Sequence, residues 1–399
     1  MVAMSDQSFA GSKGASPRFG GTLTVVIPHF NQKQFLPRAV ASVLNGETRD
    51  VEIIVVDDGS TDDSEPILAA LEKHDPRVSI IRSRDNQGAP TALNAGLAAA
   101  RGRYISFLGA DDFVMPTLYG PLLRELESNQ SAALACSEIA ILGTDDSIRG
   151  IRPMTAPAFR TTYLEPNAVV RISQNTDNWI CNTSTVYRTA MIRAAGGYDP
   201  SLGSFCDGFL SRVLAFEHGF IFVPGVRAAW RVAADTLSAS TVLDQLEIAR
   251  LVALARERLA TSIVSRRAPG YPDLFARRLR FSAARMQFVW NGRSTDPTAA
   301  AMIAGGTDND RKVLSTIHRS LGFGASGRML ALAWLFARLR PIAPLSLILH
   351  AVRNRLLLAR SRRSIQGWLR KLEIARNHVL DGVTSSEALG TGVRTGSAR

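Results

Sequence analysis

Residues 104–113 read YISFLGADDF. An apolar run stops at Gly109 and is followed at once by Asp111 and Asp112. Adjacent carboxylates repel, and each is expensive to take out of water. A turn or helix cap ahead of Pro116 is one explanation. A divalent cation is another, because it cancels the repulsion and brings a phosphate with it. The surrounding segments bear on the choice. TLTVVIP (22–28), VEIIVVDDG (51–59) and RVSIIRS (77–83) are short runs suited to strands buried on both faces. QFLPRAVASVL (34–44), PTALNAGLAAA (90–100) and PTLYGPLLRELES (116–128) have helical character. Ser64 reads as the N-cap of a further helix, with Pro66 in its first turn and Ile67, Leu68 and Leu71 on one face. The alternation predicts an α/β fold: right-handed βαβ units and a mainly parallel sheet with helices on both faces. In such sheets ligands bind beyond the carboxyl ends of the strands. Residues 28–31, 57–62 and 109–112 all fall there, so three polar clusters converge on one rim.

The chain has 399 residues, 46% apolar and 21% charged, enough for a sizeable core. Cys136, Cys181 and Cys206 are odd in number and widely spaced, which argues against a disulfide framework or zinc site and for a reducing compartment. Residues 1–21 are rich in Ser, Gly and Ala, lack an apolar h-region, and read as a disordered arm. The most apolar stretch, MLALAWLFARLRPIAPLSLILHAV, is interrupted by Arg338, Arg340, Pro341 and Pro344, so no spanning helix is expected. The middle of the chain is mixed: ALACSEIAIL (133–142) and FIFVP (220–224) are strand-like, and FLSRVLAFEHG (209–219) is a short helix. From 241 to 381 the pattern is mostly helical, and from 382 to 399 the composition predicts disorder. The net charge of +12 is concentrated late: residues 321–399 hold twelve Arg and one Lys against two Glu and one Asp.

Taken together, VVIPHFNQKQFLPRAVASVL, EIIVVDDGSTDDS and RDNQGAPTALNAGLAAARGRYISFLGADD resemble the family-2 glycosyltransferases of the GT-A fold, in spacing and in order. The likeness continues more loosely through RAAGGYDPSLGSFCDGFLSRVLAFEHGFIFVP. It implies a Rossmann-like GT-A domain over 22–240, followed by a helical C-terminal extension. It also implies a nucleotide-diphospho-sugar donor, here a UDP-sugar. Pro28, His29 and Asn31 would line the nucleoside pocket, and Asp58 would accept a hydrogen bond from the base. Asn86 and Gly88 would border the donor, as would Ala110 and Asp111. From the residues alone, Asp57–Asp58 also fit a DGS turn, and Asn86–Gly88 an ordinary Asn-x-Gly turn.

Four positions depart from the family pattern. Relatives usually read Asp-x-Asp where this chain has Gly109, Ala110 and Asp111. Asp111 matches the position that binds a Mg²⁺ or Mn²⁺ bridging the diphosphate, and Asp112 is the available substitute for the missing acid. Leu93 stands where many members have an Arg. Ala233 stands where relatives have a His, leaving Arg231 and Asp235 as polar groups near the donor. The catalytic base implied by the resemblance is Asp207, in a Cys206–Asp207 pair where relatives have Glu-Asp. An N-cap for the helix at Phe209 is the competing role, and one Asp can fill both. Cys206 reads as a packing substitute. GGYD (196–199) is the turn that delivers this loop, and Trp179 suits either an acceptor sugar or the core.

These parts predict inverting transfer to a hydroxyl of a glycan or lipid-linked acceptor in bacterial surface polysaccharide biosynthesis, at a cytoplasmic location. The basic helices fit an anionic membrane surface on the inner face of the cell membrane, or equally a solvated bundle covering the catalytic domain. Nucleic acid fits poorly, since no binding module accompanies the charge. The alternative is a catalytically silent GT-A subunit that binds a sugar nucleotide or a partner, motivated by Gly109 and Ala233. A nucleotidyltransferase shares the parallel sheet, but PHFNQKQF lacks its Gly-rich signature.

Overall fold

In the computed structural model the three β-branched runs form parallel strands, β1 (Leu23–His29), β2 (Val51–Asp57) and β3 (Val78–Arg82). Helices α1 (Leu36–Leu44) and α2 (Glu65–His74) connect them, and α3 (Ala89–Ala99) leads to β4 (Tyr104–Phe107) on the other side of β1. The described residues are 22–232, 244–290, 307–321, 325–339 and 344–390. The period of two along each strand divides the core. Val25, Ile27, Ile53 and Val55 face one hydrophobic layer, and Val26, Ile54 and Val56 face the other. With both faces covered, alternation between apolar and polar residues is replaced by continuous apolar runs.

The second half of the sheet is mixed. It contains β5 (Phe113–Val114), β6 (Leu134–Leu142), β7 (Ile148–Arg152), β8 (Thr162–Leu164), β9 (Thr185–Arg188) and β10 (Phe220–Arg231). The strand order is β3-β2-β1-β4-β9-β6-β10-β5, with β7 on β6 and β8 on β10. β9 lies antiparallel between β4 and β6, whereas β10 runs parallel to β6. Helices α4 (Tyr119–Ser128), α5 (Pro166–Ser173), α6 (Thr189–Ala194) and α7 (Cys206–His218) link these strands. Two local expectations change. Ser64 stands before α2 without capping it through its side chain, which bonds His29 and Asp62 instead. The helix expected from Pro116 starts at Tyr119, after β5 has taken Phe113 and Val114 into the sheet.

The extension comprises α8 (Gln245–Thr261), α9 (Ile263–Arg267), α10 (Tyr271–Trp290), α11 (Asp308–Leu321), α12 (Ala325–Leu339) and α13 (Pro344–Gly390). Ala255, Leu259, Val264, Tyr271 and Phe275 share a core with Leu210, Leu214 and Phe216 of α7. α13 lies against another part of the domain: Ile365, Leu369 and Leu372 pack with Phe113, Met115 and Ala229. Trp368 Nε1 donates to the Val114 carbonyl at 2.8 Å, and Arg353 pairs with the buried Glu138 of β6. Helix α13 runs on to Gly390, past the 382 boundary read from composition. Residues 1–21 and 391–399 lie outside the described residues, as do Ala233 and Asp235. No helix among the described residues is long and apolar enough to cross a membrane.

Candidate active site

Parallel pairing brings the carboxyl ends of β1, β2 and β4 to one rim. The Asp58 N–H donates to the His29 carbonyl and the Leu108 N–H to the Val26 carbonyl, each at 2.9 Å. Asp58 is buried, and its carboxylate accepts the backbone N–H groups of Gln87 at 2.9 Å and Gly88 at 2.8 Å. It therefore ties the end of β2 to the loop after β3. Gly59 permits that approach: its φ is +73°, and a Cβ would sit 2.7 Å from the Asp85 carbonyl carbon. Asn86 is exposed, and its Oδ1 accepts the same Gly88 N–H. Asn31 is exposed too, and its side-chain oxygen accepts the Thr61 N–H at 2.7 Å, bracing the loop after β2.

His29 departs from expectation. Its ring is 1% exposed and its Nε2 lies 2.8 Å from Ser64 Oγ, so it supports the rim from beneath instead of lining a nucleoside pocket. Burial lowers its pKa against the opposing pull of Asp57 and Asp62. Pro28, next to it, is partly exposed at the same strand end.

The acidic loop separates its two carboxylates. Asp112 is buried, accepting the Thr183 hydroxyl at 2.7 Å and the Arg231 N–H at 2.9 Å. Burial raises its pKa well above the carboxylate range, and neighbouring Asp111 adds to the rise. These partners turn the Asp112 carboxylate inward. Asp111 remains partly exposed, and Ala110 is buried beside it. Gly109 explains how both acids fit: a Cβ there would lie 3.0 Å from Asp112 Oδ2 and 3.1 Å from Asp111 Oδ1. Among the described residues no three His, Cys, Asp or Glu side chains are grouped to hold a metal ion.

Arg231 also departs from its expected place on the donor. Its guanidinium is buried, pairs with Asp146, donates to the Gly143 and Thr144 carbonyls, and lies 4.9 Å from the Phe35 ring centroid. Arg38 of α1 shares Asp146 at 3.2 Å, reaches Glu373 of α13 at 3.4 Å, and donates to the Asp111 carbonyl at 3.5 Å. Two buried guanidiniums thus stand behind the acidic loop. Leu93, at the position of the expected cation, is buried core.

Asp207 sits in the first turn of α7, partly exposed, with Oδ1 accepting the Gly208 N–H at 2.6 Å. Burial raises its pKa, and Arg152, the Gly208 N–H and Arg212 oppose the rise. The turn at 181–184 joins the acidic loop to Tyr187 and to Tyr198 of the GGYD turn. Thr183 holds Asp112, and Asn182 Oδ1 accepts the hydroxyls of Tyr187 at 3.0 Å and Tyr198 at 3.3 Å. The Cys181 thiol is pushed up to about 11, first by burial, and both Asp112 and Asp207 push in that direction while Arg152 opposes them. Tyr198, from the GGYD turn, packs edge-on against Phe107 at the end of β4, with ring centroids 5.0 Å apart. Asn94 brackets that turn, accepting the Tyr198 N–H at 2.9 Å and donating to its carbonyl at 2.8 Å. Cys206 is buried beside Asp207, as its packing role predicts. Trp179 is core, stacked on Phe220 with centroids 5.8 Å apart. Thr183, Asn182, Arg38 and Asp146 were not singled out by motif or periodicity, because each acts through contacts distant in sequence.

Residues 24–187 match the family model described as glycosyl transferase family 2. That stretch, about two fifths of the chain, is similar to glycosyltransferase family 2. The chain is 35% identical over 114 residues to the uncharacterized glycosyltransferase EpsJ of Bacillus subtilis, covering 29% of this chain and 33% of that protein. It is 32% identical over 162 residues to the succinoglycan biosynthesis protein ExoO of Rhizobium meliloti, covering 38% and 44% of the two chains. The chain spans about a third of the length of the first curated relatives it matches. Among solved structures, S. aureus TarS 1–349 in complex with UDP-GlcNAc superposes with a TM-score of 0.52 at 12% identity, over 80% of this chain and 88% of that one. That likeness establishes the GT-A fold around the family-2 segment.

Proposed function

We propose that this chain is a family-2 glycosyltransferase that transfers a sugar from a nucleotide-diphosphate donor, a UDP-sugar, to a hydroxyl of a glycan or lipid-linked acceptor, with inversion. The setting is bacterial surface polysaccharide biosynthesis at an anionic membrane surface. The observation that carries this reading is the rim at the carboxyl ends of β1, β2 and β4, where Asp58 ties down the loop after β3 and Asp111 stays partly exposed. The relative named for succinoglycan biosynthesis and the neighbour solved with UDP-GlcNAc support the substrate class.

In this reading the rim of Pro28, Asn31, Asp58, Asn86 and Gly88 receives the nucleoside. Asp58 keeps acceptor capacity for a base N–H, since each carboxylate oxygen offers more than one lone-pair site. Asp207 takes the proton of the acceptor hydroxyl as that oxygen attacks the anomeric carbon, and the Gly208 N–H orients its carboxylate. The raised pKa makes Asp207 a stronger base than an ordinary carboxylate. Asp111, the partly exposed carboxylate of the acidic loop, would hold a Mg²⁺ or Mn²⁺, which would offset the charge of the departing nucleoside diphosphate.

The buried, internally bonded Asp112 favours a second reading, a silent subunit that binds nucleotide without turning it over. A thermal-shift series with UDP, GDP, CDP and ADP, each with and without Mn²⁺, tests the proposal. A Tm rise with UDP that grows when Mn²⁺ is added supports it. The absence of a rise with any nucleoside diphosphate contradicts both readings.

A further inference from the structure

Helix α13 carries seven cations between residues 345 and 372 and no carboxylate. One of them, Arg353, is used inside the molecule, paired with Glu138. The other six, Arg355, Arg360, Arg362, Arg363, Arg370 and Lys371, are exposed. None of the six has a carboxylate within 4 Å among the described residues. The exposed cations of α8 behave differently: Arg250 pairs with Glu247, Arg256 with Asp273 and Arg258 with Asp199. A merely solvated helix face usually interleaves charges of both signs, as α8 does.

The same side of α13 exposes apolar side chains. Val352 is 59% exposed, Leu356 58% and Ile374 61%. Val352, Leu356, Arg363, Arg370 and Ile374 recur at spacings of four and seven, which places them on one stripe of the helix. At 1.5 Å per residue the stripe is about 33 Å long. Ile365, Leu369 and Leu372 are buried against the sheet, so the inward side of the helix is already satisfied.

We infer that this outer stripe of α13 docks the protein on an anionic lipid bilayer. Unpaired cations meet the phosphate charge of the headgroups while Val352, Leu356 and Ile374 enter the headgroup boundary. Nucleic acid would use the cations but not the aliphatic side chains. It also gains from exposed aromatic rings, whereas Trp368 is committed to the Val114 carbonyl. The inference deepens the proposal of a lipid-linked acceptor and rests on it for its purpose, although vesicle binding is read without any donor.

The test is flotation of the full chain with phosphatidylcholine vesicles, with and without phosphatidylglycerol, at low and high salt. The expected result is binding to phosphatidylglycerol vesicles only, lost at high salt. Combined replacement of Arg360, Arg363, Arg370 and Lys371 by Gln should weaken that partition by at least about a hundredfold with unchanged Tm. Equal binding to neutral vesicles, no binding at low salt, or an unaffected variant overturns the inference. So does a variant defect seen only in RNA binding or self-association. A catalytically silent chain would still float, and an active chain that stays in solution would contradict this inference alone.

Discussion

Asp111 and Asp112 are neighbours in sequence with opposite environments. Asp112 turns inward to Thr183 and Arg231, whereas Asp111 stays at the rim. Gly109 leaves room for this division, since any side chain there would press on both carboxylates. The split predicts an asymmetry. Asp111→Asn should raise the Mn²⁺ concentration needed for half of the UDP-dependent thermal shift by about tenfold or more, while Asp112→Asn leaves it within about twofold. Asp112 should appear instead in stability. Its folded pKa is raised, so the stability it contributes is present below the ordinary carboxylate range and is lost as pH rises toward the folded value. Urea unfolding of Asp112→Asn across pH should lack that decline. The vacancy at the first acidic position was legible in the sequence. The inward turn of Asp112 was not, because its partners lie 71 and 119 residues away.

At the scale of elements, α7 holds Asp207 because the extension holds α7. Asp177 is buried, accepts the Tyr271 hydroxyl at 2.7 Å, and pairs with Arg278 of α10 at 3.1 Å. Arg212 of α7 donates to the Tyr271 oxygen and to the Asp177 carbonyl, each at 3.0 Å. Burial would raise the Asp177 pKa, but Arg212, Arg278 and the Tyr271 hydroxyl outweigh it and lower the value. Asp177→Asn leaves two buried guanidiniums short of a counter-charge and should cost about 3–5 kcal/mol in urea unfolding at neutral pH. A depressed pKa contributes stability that is present above the ordinary carboxylate range and lost on acidification. The difference between wild type and Asp177→Asn should therefore shrink as pH falls below the ordinary carboxylate range. An unchanged difference would show that the cluster does not titrate as described. The parallel strands and their helices were legible because each is an apolar run of five or more residues with its own period. β5, β7 and β8 have two to five residues each and exist through pairing with β6 and β10, which no local pattern announces.

Across the whole molecule, the extension touches both halves of the rim. α10 reaches α7 through Tyr271 and Asp177 through Arg278, and α13 reaches the acidic loop through Glu373 and Arg38. The sequence announced a helical, basic extension, but not that its helices would carry ion pairs into the catalytic domain. Those contacts bear on the account's central claim, that Asp207 is the base of a glycosyl-transfer site shared with the acidic loop. The most direct measurement is UDP release from a panel of UDP-sugars with Mn²⁺, followed against pH for wild type and Asp207→Asn. Wild type should release UDP from at least one donor. The acid limb of its rate should lie above the ordinary carboxylate range, because Asp207 must be ionised to act and its pKa is raised. Asp207→Asn should lose about 10²–10⁴-fold in rate and lose that limb, while its UDP-induced thermal shift is unchanged. Equal UDP release by wild type and Asp207→Asn, or no release from any donor, would contradict the account.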